Sequence, residues 1–198
     1  MFDYTKPLQD YFPGNICKGC GPSNPKGLQL KTFVDSADPQ HTKTIWKPPS
    51  DYVAGFHNTV HGALSVFDCP LIFTALWDDH LSGELEFGII HEPFIWYVTR
   101  AILSVDLPNP IPLNSEILVR AHVVRRGRTS RRVRGELFVK DIKLASGEII
   151  AARTPMTPGR IKWLMEPRSE EYKKYLRGEL MDEDALQIVC HHELALLK

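Results

Sequence analysis

The segment from Val60 to His80 restricts the possible folds of this chain more than any other part. Its apolar residues recur at spacings of three and four, which is the period of an α-helix. Val66 and Ile72 add apolar side chains between those positions, so most of the circumference is apolar. A helix of that kind is buried inside a protein. The rest of the chain must therefore surround it.

Six other segments have the composition of β-strands, being rich in Val, Ile, Thr, Tyr and Phe. They cover 29–34, 42–46, 94–107, 116–126, 130–143 and 148–154, with turns predicted at 35–39, 108–112, 126–128 and 145–147. Short turns indicate antiparallel neighbours, because a parallel pair needs a crossover of about a dozen residues. A buried helix and about six antiparallel strands are compatible only if the sheet curls around the helix. The sequence therefore predicts an α+β fold of this architecture.

The chain divides into three predicted parts. Residues 1–27 are dense in Pro and Gly and predict an irregular N-terminal segment, and 28–162 form the domain of helix and sheet. Residues 163–198 predict a helical C-terminal extension, in which Ser169 begins a helix and Gly178 ends it. We expect this extension to pack on the domain or on a partner subunit.

Composition argues against several classes of protein. Twenty-four basic residues balance twenty-four acidic ones, so no overall field favours nucleic acid or an anionic membrane. The N-terminus lacks the layout of a secretory signal, and no apolar run approaches the roughly 20 residues of a spanning helix. Four unevenly spaced cysteines do not indicate a disulfide framework. We expect a cytoplasmic protein that binds neither nucleic acid nor membrane.

Two turn-rich clusters precede the apolar helix. The first is Cys17-Lys18-Gly19-Cys20-Gly21-Pro22-Ser23-Asn24-Pro25-Lys26-Gly27-Leu28-Gln29-Leu30. The second is Gly55-Phe56-His57-Asn58-Thr59-Val60-His61-Gly62, and Asp68 follows inside the apolar run. A helix N-terminus preceded by polar residues and followed by a carboxylate is suited to polarising a carbonyl group and activating water.

In these clusters the chain resembles the PaaI-like acyl-CoA thioesterases of the hotdog superfamily. Many of them open with Cys-x-x-Cys-Gly-x-x-Asn-Pro-x-Gly-Leu-x-Leu, which residues 17–30 match at every specified position. Further matches keep the family's order over roughly residues 15–155, at Gly55, Val60-His61-Gly62, Asp68-Cys69, Val98-Thr99, Pro110-Ile111-Pro112-Leu113 and Gly127-Arg128. The resemblance implies a hotdog fold and hydrolysis of acyl-CoA without a metal or cofactor. It also implies a homodimer or homotetramer with its sites between subunits.

The resemblance identifies candidate catalytic residues. Asp68 is expected to act as a general base on water or as a nucleophile towards the thioester carbon. The backbone N–H of Gly62 or Ala63, at the positive end of the helix, is expected to polarise the carbonyl group. His61 is expected to orient the substrate or hold the loop, and Thr99 to direct its hydroxyl towards the reacting centre across the dimer.

Three further residues are candidates for substrate binding. His57 and Asn58 lie on the same loop as His61. Arg128 belongs to a run with six arginines between residues 125 and 134, and Arg suits the phosphates of coenzyme A. The alternative for this run is a hairpin whose edge is protected by solvated charge.

Two departures from the family pattern leave alternatives open. Ala63 replaces the second glycine of a His-Gly-Gly run, and Asp68 lies seven residues after His61 where the family usually has nine. Two residues turn a helical side chain by about 200°, so either Pro70 occupies the catalytic position or the preceding loop absorbs the deletion. Asp68 could also be the N-cap of a helix with Pro70 in its first turn.

Other functions remain as alternatives. The chain could bind an acyl ligand without hydrolysing it, or could be a hotdog hydratase or dehydratase. Cys17 and Cys20 supply only half of a four-ligand zinc site, which Cys190-His191-His192 would complete if the tail folded back. Packing of the two thiols as small apolar groups is the alternative that we favour, and we predict no metal.

Overall fold

The computed structural model describes residues 2–15, 17, 19–24, 27–48, 60–87, 89, 95–109, 111–112 and 115–156, with the backbone alone at 60–62. His57, Asn58 and the predicted C-terminal extension lie outside the described residues. Within them the chain forms a short 3₁₀ helix (Leu8–Tyr11), one α-helix and six strands. These are α1 (Val60–Leu81), β1 (Thr32–Val34), β2 (His41–Trp46), β3 (Ile95–Asp106), β4 (Ile117–Arg126), β5 (Ser130–Val139) and β6 (Ile142–Pro155).

The six strands form one antiparallel sheet in the order β1-β2-β4-β5-β6-β3. Helix α1 contacts every one of them, as a curved sheet around a central helix requires. The predicted α+β architecture is therefore confirmed. Among the described residues, no helix is both long enough and apolar enough to span a membrane.

Close approach of helix and sheet depends on two glycines. Gly135 of β5 pairs with Gly147 of β6, and both lie beneath the buried ring of Phe67 on α1. A Cβ atom at Gly135 would stand 3.0 Å from Phe67 Cδ1, and one at Gly147 would stand 3.1 Å from Cδ2. The absence of side chains at these two positions lets the aromatic ring rest on the backbone of the sheet.

The prediction of a turn at 145–147 is wrong, because Gly147 lies in strand β6 and packs against Phe67 of the helix. The chain reverses instead at Lys140 and Asp141, between the paired residues Val139 and Ile142. Lys140 has a φ of 54°, the left-handed conformation that tight hairpin turns use. Residues 145–147 have the composition of a turn, but Gly147 serves close contact with the helix.

The first strand is shorter than predicted, since it begins at Thr32 and not near Gln29. Gln29 has a φ of 55°, which interrupts an extended strand. Its side-chain amide donates to the carbonyl oxygens of Gly21 and Asn24 and so holds the preceding loop.

The N-terminal segment packs into the same core as the helix. Leu8 and Phe12 are buried, and the ring of Phe12 contacts those of Phe73 and Trp96. Phe2 packs against Trp77, with ring centroids 4.7 Å apart. The segment thus covers a face of α1 that the sheet leaves open.

Substituting Gly135 by Ala is expected to lower the free energy of unfolding by about 1–3 kcal/mol, because the new methyl overpacks Phe67. Replacing Phe67 by Leu should cost less in the Gly135→Ala background than in the wild type, because the ring that clashes has gone. Urea unfolding of the two single variants and the double variant measures this coupling. Ser146→Ala, next to Gly147 on the other sheet face, is the control. Additive costs would contradict the proposed contact.

Candidate active site

Asp68 lies within helix α1, which begins eight residues earlier at Val60. The alternative that made Asp68 the N-cap of a helix is therefore wrong. Pro70 is an interior residue of the same helix, and its own carbonyl oxygen accepts a hydrogen bond from Thr74 Oγ1 at 2.7 Å. Pro70 lacks the N–H that would bond the carbonyl oxygen of Val66, and packing of the buried helix must offset that loss.

The side chain of Asp68 contacts strand β3. Thr99 Oγ1 donates a hydrogen bond to Asp68 Oδ1 at 2.5 Å, the length of a hydroxyl bonded to a carboxylate. Both side chains are half-buried, whereas Pro70 is buried. The shifted spacing left Asp68 and Pro70 as alternatives for the catalytic position. Asp68 is the one of the two whose carboxylate is directed to β3.

Strand β3 is irregular where it meets Asp68. Its pairing with β6 shifts register between Thr99 and Ala101, and again between Ile102 and Ser104. Such bulges redirect side chains and are common beside active sites. Because β3 ends the sheet in the described part of the chain, the Asp68–Thr99 pair lies along an edge strand.

The N-terminus of α1 lies some distance from this carboxylate. Gly62 is in the first turn, where backbone N–H groups lack acceptors within the helix and point off its end. At 1.5 Å per residue, Gly62 and Asp68 are roughly 9 Å apart along the axis. A carbonyl oxygen that accepts from the N–H groups at the N-terminus of α1 therefore lies still farther from Asp68 of the same helix.

The other predicted residues are distributed as follows. His61 lies in the first turn of the helix beside Gly62, and Ala63 is fully buried. Arg128 is exposed in the turn between β4 and β5, where a turn was predicted. The structure thus brings together Asp68 and Thr99, and leaves Arg128 at a solvent-facing turn.

A buried ionic cluster, which sequence reasoning missed, holds the opposite end of α1. Arg131 is 2% exposed and binds Asp78 Oδ2 through Nε at 2.7 Å and Asp79 Oδ1 through Nη2 at 2.6 Å. Arg126 adds further hydrogen bonds to Asp78. Arg131 is therefore a buried partner of helix carboxylates, whereas Arg126 binds Asp78 from the exposed surface of the hairpin. Adjacent acids in an otherwise apolar helix were the available signal.

The cluster continues through Asp79 to strands β3 and β6. Arg153 Nη2 lies 2.9 Å from Asp79 Oδ2, and Tyr97 donates its hydroxyl to Asp79 Oδ1 at 3.1 Å. Burial raises the pKa of Asp79, and the hydrogen bond from Arg153 opposes that effect. Burial also raises the pKa of Tyr97, whereas Arg153 lowers the pKa of Glu84 by a hydrogen bond.

A cavity of about 270 Å³ adjoins this ionic cluster. It is lined by His80 and by residues 83–86, so it opens at the C-terminal end of the helix. Neither Asp68 nor Thr99 contributes to it. The cavity and the Asp68–Thr99 pair are therefore separate features.

A third group of reactive side chains lies beside Asp68. Cys17, Cys20 and Cys69 are all buried, and their sulfur atoms lie within 4.8 Å of one another. The sequence offered Cys17 and Cys20, with Cys190-His191-His192 of the tail as the residues that could complete a site. The third, Cys69, comes from helix α1, which no spacing rule connects with Cys17 and Cys20.

Comparison with known proteins identifies the architecture. No protein-family model matches the chain, and a search of curated proteins finds no match. Among solved structures, thioesterase superfamily protein RHA08564 superposes with a TM-score of 0.50 at 15% identity, covering 73% of this chain and 66% of its own. The chain has the hotdog fold. The fold expected from its resemblance to PaaI-like proteins is therefore confirmed.

Two further hotdog neighbours are more distant by superposition. PaaI of E. coli gives a TM-score of 0.46 at 14% identity, covering 62% of this chain and 82% of its own. A phenylacetic acid degradation-related protein from Ralstonia eutropha JMP134 gives 0.46 at 17% identity, covering 63% and 85%.

Replacing Arg131 by Met should destabilise the hotdog domain by about 3–5 kcal/mol, because two buried carboxylates lose their shared partner. Arg128→Met removes an exposed charge three residues away and should change the free energy of unfolding by less than about 0.5 kcal/mol. Thermal and urea unfolding provide the measurement. Equal effects of the two substitutions would mean that the ionic cluster does not hold the helix.

Proposed function

We propose that this hotdog protein hydrolyses acyl-CoA thioesters at a site built around Asp68. The observation that carries the proposal is the hydrogen bond from Thr99 to Asp68, which holds a helix carboxylate at the edge strand of the sheet. A carboxylate in a largely apolar helix needs such a partner, and that bond fixes the orientation of the carboxylate. The family resemblance names the same two residues, although it implies that Thr99 acts across the dimer, whereas here Thr99 bonds Asp68 of its own chain.

The chemistry that we propose divides between two groups. Asp68 removes a proton from water as the water oxygen attacks the thioester carbon, or it attacks that carbon itself and gives an anhydride that water then cleaves. The carbon–sulfur bond breaks in either case, and coenzyme A leaves as the thiolate. Thr99 fixes the rotamer of the carboxylate and so limits its approach to the carbonyl carbon.

The backbone N–H of Gly62 or Ala63, at the N-terminal tip of a helix, polarises the carbonyl group of the thioester. Since the tip of one helix points away from its own Asp68, we propose that the tip comes from a second subunit. His61, His57 and Asn58 belong to the same segment and are proposed to bind the substrate there. Arg128 is proposed to contact phosphate groups of coenzyme A.

The edge strand β3 supports assembly of such a pair. A twelve-residue edge strand offers unpaired backbone groups to another chain. Ile102 and Leu103 of this strand are 43% and 44% exposed, although both are large and apolar. Pairing of β3 with β3 of a second copy would cover them and bring the two Asp68–Thr99 pairs to the interface.

The test of hydrolysis uses a panel of aromatic, short-chain and long-chain acyl-CoAs with a thiol-trapping dye. The wild type should release free coenzyme A, and Asp68→Asn should lower kcat by about 10²–10⁴-fold, because the base is lost. Asp38→Asn, an exposed carboxylate in the β1–β2 turn, is the matched control and should keep full activity.

Three outcomes would contradict this proposal. Saturable binding of acyl-CoA with no turnover on any member of the panel would favour an acyl-binding protein. Formation or loss of an enoyl-CoA absorbance band, without release of free thiol, would favour a hydratase or dehydratase. An active wild type with an equally active Asp68→Asn variant would remove Asp68 from the mechanism.

Thr99 is tested by separating its hydroxyl from its shape. Thr99→Val keeps the shape and should lower kcat by about 10–100-fold, since a hydrogen bond to a charged group is lost. Thr99→Ser keeps the hydroxyl and should retain most of the activity. Steady-state kinetics measure kcat of the two variants. An equal loss of kcat in both would show that the packing of Thr99 matters and its hydroxyl does not.

A further inference from the structure

The thiol cluster of Cys17, Cys20 and Cys69 has the arrangement of a metal site. Three ligands at the zinc–sulfur distance of about 2.3 Å place their sulfurs roughly 4 Å apart. The three Sγ atoms lie within 4.8 Å of one another, and those of Cys17 and Cys69 are 3.5 Å apart. None of the three is in a disulfide. Small side-chain adjustments therefore bring all three to one ion.

The surrounding residues shape this cluster. Asn15 is 1% exposed; its Oδ1 accepts from the backbone N–H of Cys17 at 2.9 Å, and its Nδ2 donates towards Cys20 Sγ at 4.0 Å. A donor to a ligating sulfur is the usual outer partner of a metal-bound thiolate. The backbone N–H of Gly21 closes the loop by donating to the carbonyl oxygen of Cys17 at 2.8 Å.

The sulfur atom of Cys69 occupies the space between helix α1 and the Cys17–Cys20 loop, next to Gly19. A Cβ at Gly19 would stand only 2.5 Å from Cys69 Sγ. Glycine at the second x of the Cys-x-x-Cys loop therefore lets the thiol of the helix enter between the two thiols of the loop. Packing of small apolar groups does not by itself explain why three thiols converge at one point.

We propose that Cys17, Cys20 and Cys69 bind a thiophilic metal ion, with Zn²⁺ as the ion that the site accepts best. Buried thiolates select Zn²⁺ or Cu⁺ over the harder divalent ions. The ion cross-links the N-terminal loop to helix α1 one residue after Asp68. It supplies no catalytic step and instead fixes the turn of helix that carries the carboxylate.

The experiment uses the untagged 198-residue chain, purified under reducing conditions without chelator. Elemental analysis should find about one zinc per chain, and competition with a chromophoric chelator should give a Kd of about 10⁻⁹ M or tighter. Substitution with Co²⁺ should produce the thiolate-to-cobalt charge-transfer absorption of a sulfur-rich site. X-ray absorption at the zinc edge should find three sulfur neighbours at about 2.3 Å.

The variants identify the ligands. Cys17→Ser, Cys20→Ser and Cys69→Ser should each weaken zinc binding by at least about 100-fold. Cys190→Ser is the matched control and should keep the wild-type stoichiometry and affinity. Should the ligand variants fail to fold, the absorption spectrum of the wild type still counts the sulfur neighbours.

Three results would overturn the proposal. The first is a reduced wild type that retains no zinc after reconstitution. The second is a bound zinc with fewer than three sulfur neighbours. The third is loss of zinc in Cys190→Ser with retention in Cys69→Ser, which would move the site to the C-terminal tail. A disulfide between Cys17 and Cys69 in freshly isolated protein would also overturn the proposal if the reduced protein then took up no zinc.

Discussion

Burial of one mostly apolar helix against a curved sheet is the constraint on which the rest of this structure depends. The ring of Phe67 rests on Gly135 and Gly147, and that close approach sets the distance between helix α1 and strands β5 and β6. A sheet that contacts its helix along six strands has little freedom to shift it. The described polar side chains of α1 are therefore held at defined places, where the buried ones need partners.

Three sets of contacts between polar side chains of α1 and other elements bear on the position of the helix. Asp78 and Asp79 bind Arg131, which neutralises charge where the helix dipole would otherwise disfavour carboxylates. Asp68 accepts from Thr99 on the edge strand, and Cys69 meets the thiols of the N-terminal loop. The ionic cluster holds the C-terminal end of the helix, and the thiol cluster lies next to the proposed catalytic carboxylate. Between them they restrict rotation and sliding of the helix within the sheet.

Much of the fold could be predicted from the sequence, because period and turn composition are local signals. The helix, the long strands β3 and β4 and the turn at Gly127 follow from them directly. Local signals failed where a residue serves a distant contact: Gly147 packs on Phe67, and Gln29 holds the loop behind it. The partnership of Asp68 with Thr99 and of Cys69 with Cys17 joins segments far apart in the chain. The order of motifs shared with the PaaI-like family indicated that Asp68 and Thr99 both belong to the site, with Thr99 acting across the dimer. Nothing indicated that they meet within one chain, or that Cys69 meets Cys17.

The central claim is that the carboxylate of Asp68, held by Thr99 at the edge strand, faces the carbonyl carbon of a thioester bound between two subunits. A structure with an acyl-CoA analogue whose thioester sulfur is replaced by a methylene group tests it most directly. The account predicts two chains joined along β3, with the ketone carbon next to Asp68 of one subunit and its oxygen at the helix tip of the other. An analogue bound in the cavity beside His80, or Asp68 facing away from the ketone, would contradict it.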